Sequence, residues 1–179
     1  YDNKEFNIEG YPSNNFVNKV LEIKPDQVTL VPDPPGALTS SFGWNCNENK
    51  DFLKDIISKF RASNIRVSIF VNPSIETLDN LEEIKTDRVE LYTYDFAHYF
   101  DDNKTKSIKP YVEVVNYLNK EFPRVELNAG HDLNLKNLEF FLEKIANIKE
   151  VSIGHALICD TFEFGLKETI KKYLSLTKS

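Results

Sequence analysis

The feature that most constrains the fold of this chain is its regular alternation of short apolar runs with amphipathic helical stretches. Runs with the apolar pattern of strands lie at 5–9, 26–32, 66–71, 88–93, 124–129 and 151–157. Helical patterns follow them at about 13–23, 49–63, 75–84, 108–121, 135–147 and 162–175. Strands that alternate with helices are typical of βαβ units, whose parallel strands are joined by crossover helices. The sequence therefore predicts an α/β fold built on one parallel sheet.

The helical stretch at 49–63 shows this pattern clearly. Its apolar residues Phe52, Ile56, Ile57 and Phe60 recur at three- and four-residue spacing, and charged residues occupy the opposite face. These four side chains are therefore predicted to form the buried face of a helix.

Two architectures repeat βα units: an open doubly wound sheet and a closed (β/α)8 barrel. The doubly wound dinucleotide-binding fold has a G-x-G-x-x-G fingerprint after its first strand, and the six glycines of this chain contain none. A barrel needs eight units in about 250 residues, so six units in 179 residues make about three quarters of one. We therefore expect a (β/α)8 TIM barrel in which residues 1–179 form a single domain with strands 3–8, the first two βα units being missing from this sequence.

Composition and charge argue against several functional classes. The net charge of −6 at pH 7 disfavours nucleic-acid binding, which needs a basic face. No apolar run approaches the roughly 20 residues that span a bilayer, and no signal-peptide pattern opens the chain. Cys46 and Cys159 are too few for a disulfide framework or a zinc site, and Cys159 is expected to be a buried free thiol. These features favour a cytoplasmic protein that binds neither nucleic acid nor membrane.

Polar residues collect at the carboxyl ends of the predicted strands, which is where βα barrels place their active sites. They are Glu9, Thr39, Ser40, Ser41, Asn72, Glu90, Tyr92, Thr93, Asn128, His131, Asp132 and His155, the last of which follows Gly154. Each has a structural explanation by itself, such as a helix cap or a polar turn. Their joint occurrence on one rim favours an active site. His98 has no such context and is predicted to lie in a loop.

Two of the three histidines follow a glycine just past successive strands, in "NAGHDLN" and "SIGHALI". Glycine lets the backbone approach a ligand closely, and backbone N–H groups at a helix start bind anions. The loops after the last two strands of a barrel commonly hold phosphate, and a histidine there can also transfer protons. Gly130-His131 and Gly154-His155 therefore indicate a phosphorylated small-molecule substrate.

The residues alone leave several reaction classes to compare. A Schiff-base aldolase needs a lysine inside a strand, and the six predicted strands contain none. A metal-dependent isomerase or epimerase could use a set of four residues: Glu9, Glu90, His131 and His155. Metal-free acid–base chemistry on a phosphorylated ketone needs only Glu9 and a histidine across the barrel mouth. A barrel that binds a ligand without catalysis is a further alternative.

Motifs over nearly the whole chain, from Glu9 to the last helix, resemble one known family. They are "NIEGYP", "KPDQVTLVPD", "ALTSSFGW", "VSIFVNP", "VELYT", "LNAGHDLNLKN" and "IGHALI". The chain resembles the pyridoxine 5′-phosphate synthases of vitamin B6 biosynthesis. That resemblance implies a (β/α)8 barrel that condenses 1-deoxy-D-xylulose 5-phosphate with 3-amino-2-oxopropyl phosphate into pyridoxine 5′-phosphate, inorganic phosphate and water. It also implies a homo-oligomer, an octamer, with no metal or organic cofactor.

The resemblance implies catalytic roles for two residues of this chain. Glu9 in "NIEG" would be a general base, and His131 in "NAGHD" would be a general acid. The family's further catalytic histidine, with neighbouring arginines, would lie before Tyr1.

Four residues would bind substrate by the same resemblance. Thr39 would contact the deoxyxylulose phosphate, while the backbone at Asp132, together with Gly154 and His155, would hold the aminoacetone phosphate. Two positions depart from the family pattern: Asp132 stands where glycine is usual, and Tyr92 stands where histidine is common.

Overall fold

A computed structural model describes residues 4–177, and a six-stranded sheet with parallel pairing throughout lies at its centre. The strands neighbour one another in the order in which they occur along the chain. They are β1 (Asn7–Gly10), β2 (Gln27–Leu30), β3 (Arg66–Val71), β4 (Arg88–Tyr92), β5 (Glu126–Gly130) and β6 (Ile148–Ser152). The predicted parallel α/β sheet is confirmed, with the sequential strand order of a (β/α) barrel.

Helices join the strands and follow the last of them. They are α1 (Asn14–Ile23), α2 (Lys50–Ala62), α3 (Leu81–Ile84), α4 (Tyr94–His98), α5 (Phe100–Glu121), α6 (Leu138–Lys144), α7 (His155–Phe164) and α8 (Leu166–Leu176), with a 3₁₀ turn at Ile75–Thr77. Across residues 4–177, no helix combines the length and hydropathy that a membrane span requires.

Side-chain contacts between distant strands show that the sheet is strongly curved. Gln27 Nε2 on β2 donates hydrogen bonds to both carboxylate oxygens of Glu150 on β6, at 3.3 and 3.1 Å. Four inter-strand steps separate these strands, and a flat sheet would hold them about 19 Å apart. Arg88 on β4 donates from Nη1 to both partners, at 3.0 Å to Gln27 and 3.1 Å to Glu150. The six strands therefore curl into a partial (β/α) barrel.

The two faces of this curved sheet differ in polarity because successive side chains along a strand point to opposite faces. The outer face contributes aliphatic residues to the hydrophobic core: Val28, Leu30, Val67, Ile69, Val89, Leu91, Leu127 and Ala129. The inner face carries buried polar residues: Gln27, Thr29, Ser68, Arg88, Glu90 and Asn128. Because unpaired polar groups are costly to bury, a barrel interior of this kind points to a use beyond packing.

Local sequence signals determine where α1 begins and ends. Ser13 caps its start by accepting a hydrogen bond from the N–H of Phe16 on Oγ, at 3.3 Å. Lys24 ends the helix in the left-handed conformation, with φ 54°, and donates its N–H to the carbonyl oxygen of Val20. Pro25 follows and cannot continue a helix, so the chain leaves directly into β2.

The buried face of α2 differs from the prediction by one residue. Ile56, Ile57 and Phe60 are buried as expected, but Leu53 takes the fourth position and Phe52 is 39% exposed. Leu53 lies three and four residues before the two isoleucines, so it shares their stripe on the helix surface.

The last strand lies earlier in the chain than predicted. β6 covers Ile148–Ser152, and His155, expected inside the strand, is the first residue of α7. The prediction was wrong because Glu150 reads as a surface residue, whereas its carboxylate turns into the barrel to pair with Arg88.

β6 also contains a lysine, although the predicted strands contained none. The side chain of Lys149 is 49% exposed, and its Nζ lies 3.7 Å from Glu126 Oε1. It therefore lies in a solvated ion pair and not in the buried, desolvated surroundings in which Schiff-base lysines are found.

Two helical regions differ from the prediction. The predicted helix at 108–121 lies within α5, which begins earlier and is preceded by α4, so His98 ends a helix and does not lie in a loop. Its exposed ring stacks on Tyr94, with centroids 5.5 Å apart. The predicted helix at 162–175 is split between α7 and α8 by Gly165, whose φ of 77° breaks the helical path.

Cys159 is exposed, which contradicts its predicted burial. It lies on α7 near an uncovered apolar stripe at four-residue spacing: Ile158, Phe162, Leu166, Ile170 and Leu174. The local sequence is apolar as expected, but nothing within residues 4–177 packs over this side of α7 and α8. Cys46 is the buried thiol, and burial raises its pKa to about 12.

Candidate active site

The backbone turns sharply where β5 ends. Gly130 is the last strand residue, and the next two residues, His131 and Asp132, have φ values of 92° and 57°. Non-glycine residues rarely adopt positive φ, at a cost of the order of 1–3 kcal/mol each, so surrounding contacts must hold them there. Asn137 supplies one such contact by donating from Nδ2 to the carbonyl oxygen of Asp132 at 3.2 Å.

The imidazole of His131 meets a polar group at each nitrogen. Nε2 lies at hydrogen-bonding distance, 3.0 Å, from Thr39 Oγ1. Nδ1 lies 3.0 Å from Asp132 Oδ2, an ion-pair contact when the ring is protonated, although the angle is not that of a hydrogen bond. The ring of Tyr92 packs edge-on against the imidazole, with centroids 4.8 Å apart. These contacts hold a side chain that is only 15% exposed in one orientation.

Asp132 also reaches the second Gly-His segment, because its Oδ1 lies 3.5 Å from His155 Nε2. His155 is the first residue of the ten-residue helix α7, and its side chain is 74% exposed. A Cβ added at Gly154 would meet open space, so the backbone before this helix is accessible. Unpaired N–H groups and the helix dipole make such a start favourable for an anion.

Two carboxyl groups belong to the inner face of the sheet: Glu90 on β4 is buried, whereas Glu9 on β1, at the open edge of the sheet, is exposed. The pKa of Glu9 is raised, mainly because nearby protein displaces part of its water and secondarily by the charge of Asp33. Burial raises the pKa of Glu90 to about 8, with a further contribution from Glu9, while the Ser152 hydroxyl acts in the opposite direction. Glu90 therefore keeps its proton at neutral pH.

Gly130 leaves room for Glu90. A Cβ built at Gly130 would lie 2.1 Å from Glu90 Oε1 and 3.0 Å from Ser152 Cβ, so a larger residue there would displace the Glu90 carboxyl group. This glycine leaves room for a buried carboxyl group, whereas the sequence suggested that it leaves room for a ligand.

The loop after β2 divides the barrel mouth into two cavities. One, of about 570 Å³, is lined by Glu9, Tyr11 and Asp33, and the other, of about 650 Å³, is lined by Tyr92 and His131. Thr39 and Ser40 line both cavities. The mouth can therefore hold two small molecules, one on each side of this loop.

Hydrogen bonds fix the loop over the mouth. Asp33 Oδ1 accepts from the backbone N–H and the hydroxyl of Ser41, at 2.9 and 2.7 Å. The hydroxyl of Tyr92 donates to the carbonyl oxygen of Ser40 at 3.2 Å. Desolvation and the nearby Asp132 raise the pKa of Tyr92 to about 12, so this phenol remains a neutral donor.

Four of the six predicted site residues form one contact group: Thr39, His131, Asp132 and His155. Gly154 adjoins this group through His155. Glu9 lies on the other side of the loop and lines the first cavity. Within residues 4–177, no group of three or more His, Cys, Asp or Glu side chains is placed to hold a metal ion.

Sequence reasoning missed two residues that shape the site, Asp33 and Asn137, and it placed Thr93 on the rim without a specific role. The position of Asp33 directly after a strand was a usable signal, since strand ends form the mouth. The same signal placed Thr93 on the rim, but its partners on β5 could not be read from the sequence. Asn137 lies in "NLKN", which gives no indication that its side chain holds the Asp132 carbonyl.

Sequence comparisons identify close relatives. Residues 2–179 match the family model described as pyridoxal phosphate biosynthesis protein PdxJ. The chain is 47% identical to the pyridoxine 5′-phosphate synthase of Flavobacterium johnsoniae over 174 residues, which are 97% of this chain and 73% of the relative. It is 48% identical to the enzyme of the same name from Parabacteroides distasonis over 175 residues, which are 98% of this chain and 73% of that protein.

Two solved structures that share the fold have little sequence identity with this chain. The structure of native KDPGal superposes with a TM-score of 0.61 at 8% identity, over 99% of this chain and 72% of that one. The tryptophan synthase α-subunit of Pyrococcus furiosus superposes with a TM-score of 0.57 at 17% identity, over 94% of this chain and 66% of that one. At these identities the likeness concerns the barrel fold alone.

Proposed function

This chain belongs to the PdxJ family of pyridoxal phosphate biosynthesis proteins, and on that premise we propose that it acts as a pyridoxine 5′-phosphate synthase. The reaction joins 1-deoxy-D-xylulose 5-phosphate and 3-amino-2-oxopropyl phosphate, and it releases inorganic phosphate and water. The structural observation that carries the proposal is the meeting of two Gly-His segments at a barrel mouth with two cavities. Two phosphorylated substrates need two such places.

Glu9 and His131 are the proposed proton-transfer groups. Closing an aromatic ring from two carbonyl compounds removes protons from carbon and water from hydroxyl-bearing carbon, so the site needs a base and an acid. Glu9 suits the base, because its raised pKa brings it nearer to the working pH. His131 suits the acid, because its ring is held in one orientation by Thr39 and Tyr92.

The two phosphate groups are assigned to different residues of the barrel mouth. His155, Gly154 and the start of α7 offer an imidazole and accessible backbone N–H groups to the aminoacetone phosphate, together with the backbone at Asp132. Thr39 lines both cavities and is assigned to the deoxyxylulose phosphate.

We also propose that residues 1–179 form one domain, which contains strands 3–8 of an eight-stranded (β/α)8 barrel. The proposed assembly is a homo-oligomer in the cytoplasm, an octamer as the resemblance implies, that needs no metal or organic cofactor. Light scattering after gel filtration of the full-length protein tests the assembly, since a monomeric mass would contradict it.

The decisive experiment incubates the full-length protein, treated with chelator, with both phosphorylated substrates. We expect pyridoxine 5′-phosphate, detected by absorbance and mass spectrometry. If product appeared only after a divalent metal was restored, the cofactor-free mechanism would be wrong. If no product formed and a single sugar phosphate were isomerised on adding metal, the function would instead be that of a metal-dependent isomerase or epimerase.

A further inference from the structure

We infer that Thr93 is a positioning residue, whose buried hydroxyl holds the end of β5 in the conformation that presents His131. The inference rests on the proposed role of His131 in proton transfer. Thr93 itself does not touch the substrate cavities, so its effect on the reaction is transmitted through the backbone.

Thr93 is attached to the end of β5 by both its backbone and its side chain. Its N–H donates to the carbonyl oxygen of Gly130 at 2.9 Å. Its hydroxyl lies 2.8 Å from the same oxygen and also at hydrogen-bonding distance from the carbonyl oxygen of His131. Thr93 is fully buried, so water does not compete for these bonds.

Thr93 stands at the position of a helix cap, but its hydroxyl does not cap the helix. Thr93 directly precedes α4, where a threonine side chain normally caps the helix by accepting a backbone N–H. Here its side chain makes no capping hydrogen bond and is directed to β5. The hydroxyl of Thr93 therefore bonds to the neighbouring strand β5 instead of capping α4.

The contact lies where the backbone needs support. His131 has a φ of 92° and Asp132 a φ of 57°, and such conformations persist only where neighbouring groups enforce them. Asn137 holds the Asp132 carbonyl on one side, and Thr93 holds the His131 carbonyl on the other. The ring of His131 then lies at hydrogen-bonding distance from Thr39 and edge-on to Tyr92.

Thr93→Val tests the inference, because it keeps the shape of the side chain and removes the hydroxyl. We expect kcat to fall about 10- to 100-fold, the range that a small misplacement of a catalytic group produces, with both KM values within twofold of wild type. Thr93→Ser retains the hydroxyl and should restore kcat to within about threefold of wild type. Wild-type turnover, measured first, tests the proposed function separately.

A matched control lies at the opposite end of the same strand. Thr86 is also buried, and its hydroxyl contacts the carbonyl oxygens of Val67 and Arg88 at 3.0 and 2.8 Å. Thr86→Val loses the same kind of contact far from the mouth, so it should lower thermal stability to a similar extent while kcat stays within twofold of wild type.

Three results would overturn the inference. The first is wild-type kcat in folded Thr93→Val. The second is a Thr93→Ser variant as slow as Thr93→Val, because packing of the methyl group would then be the cause. The third is failure of both Thr93→Val and Thr93→Ala to fold while Thr86→Val folds, which would assign Thr93 to the fold alone.

Discussion

The carboxylate of Asp132 lies between two histidines, with Oδ1 3.5 Å from His155 Nε2. Its other oxygen lies 3.0 Å from His131 Nδ1. The negative charge therefore occupies the place where the proposed function requires a phosphate to approach. A fixed anion beside a bound anion opposes binding by about 1 kcal/mol at 4 Å in water, and by more where water is excluded.

Removing this charge should tighten substrate binding. Asp132→Asn keeps the size of the side chain, and Asp132→Gly removes it, while both residues tolerate a φ of 57°. We expect KM for 3-amino-2-oxopropyl phosphate to fall about 3- to 10-fold in both variants, since about 1 kcal/mol is a fivefold change. Steady-state kinetics with the second substrate saturating measures this.

Two further variants test whether the change in KM is specific to the charge of Asp132. Asp95→Asn removes a different carboxylate, one that lines the cavity beside His131, and KM should remain within twofold of wild type. His155→Ala should act in the opposite direction and raise KM about tenfold, because a phosphate ligand is lost. A rise in KM in both Asp132 variants would mean that the carboxylate orients the histidines for binding, and a fall in kcat alone in His155→Ala would refute its binding role.

The parallel sheet and the rim of polar residues could be predicted because both follow from local pattern. Strand period and helix period differ, and parallel strands bring their carboxyl ends to one edge. The position of β6 could not be predicted, because Glu150 pairs inside the barrel with Gln27 and Arg88, which lie far away in the sequence. The exposure of Cys159 was missed for a similar reason, since burial depends on what covers a helix.

The site was predictable as a set of residues and not as a geometry. Thr39 and His131 are 92 residues apart, and nothing in the sequence places a loop hydroxyl 3.0 Å from that ring. The raised pKa of Glu90 likewise depends on burial between strands. Gly130 was correctly expected to leave room for another group. That group is the Glu90 carboxyl of the adjacent strand and not a ligand.

His131→Ala should lower kcat by about 10²–10⁴, which is the range for loss of a general acid or base. His98→Ala is the matched control, because His98 is an exposed histidine outside the mouth, and its kcat should remain within twofold of wild type. Both are measured by rapid sampling of pyridoxine 5′-phosphate. Unchanged turnover in His131→Ala would exclude it as a proton donor.

Glu9→Gln should also lower kcat by about 10²–10⁴, because it retains the size of the side chain and loses the base. Asp33→Asn should leave the base in place and lower its pKa, since the charge of Asp33 contributes to raising the pKa of Glu9. The acid limb of the profile of kcat/KM against pH should therefore move to lower pH in Asp33→Asn. Glu22→Gln, on the surface of α1, serves as the neutral control for both.

Retention of activity in Glu9→Gln would assign the base to another group. An acid limb unchanged in Asp33→Asn, with activity intact, would mean that the limb reports a different residue. The two results are independent, so one can fail while the other stands.

Glu90→Gln should change how the free energy of unfolding depends on pH. Below its ordinary pKa of 4.5, Glu90 is protonated in both the folded and the unfolded chain, so ionisation makes no difference. Between pH 4.5 and about 8 the unfolded chain loses this proton and the folded chain keeps it, so the free energy of unfolding falls as pH rises. Glutamine has no proton to lose, so the variant escapes this fall.

Urea denaturation of wild type and Glu90→Gln at a series of pH values measures the effect. The stability of the variant relative to wild type should increase by about 3–5 kcal/mol from pH 4.5 to 8 and then level off, since each pKa unit corresponds to about 1.4 kcal/mol. Any constant packing difference at Gly130 cancels in this comparison because only the change with pH is read. A stability difference that stayed flat over this range would show that Glu90 ionises near its ordinary pKa and does not keep its proton at neutral pH.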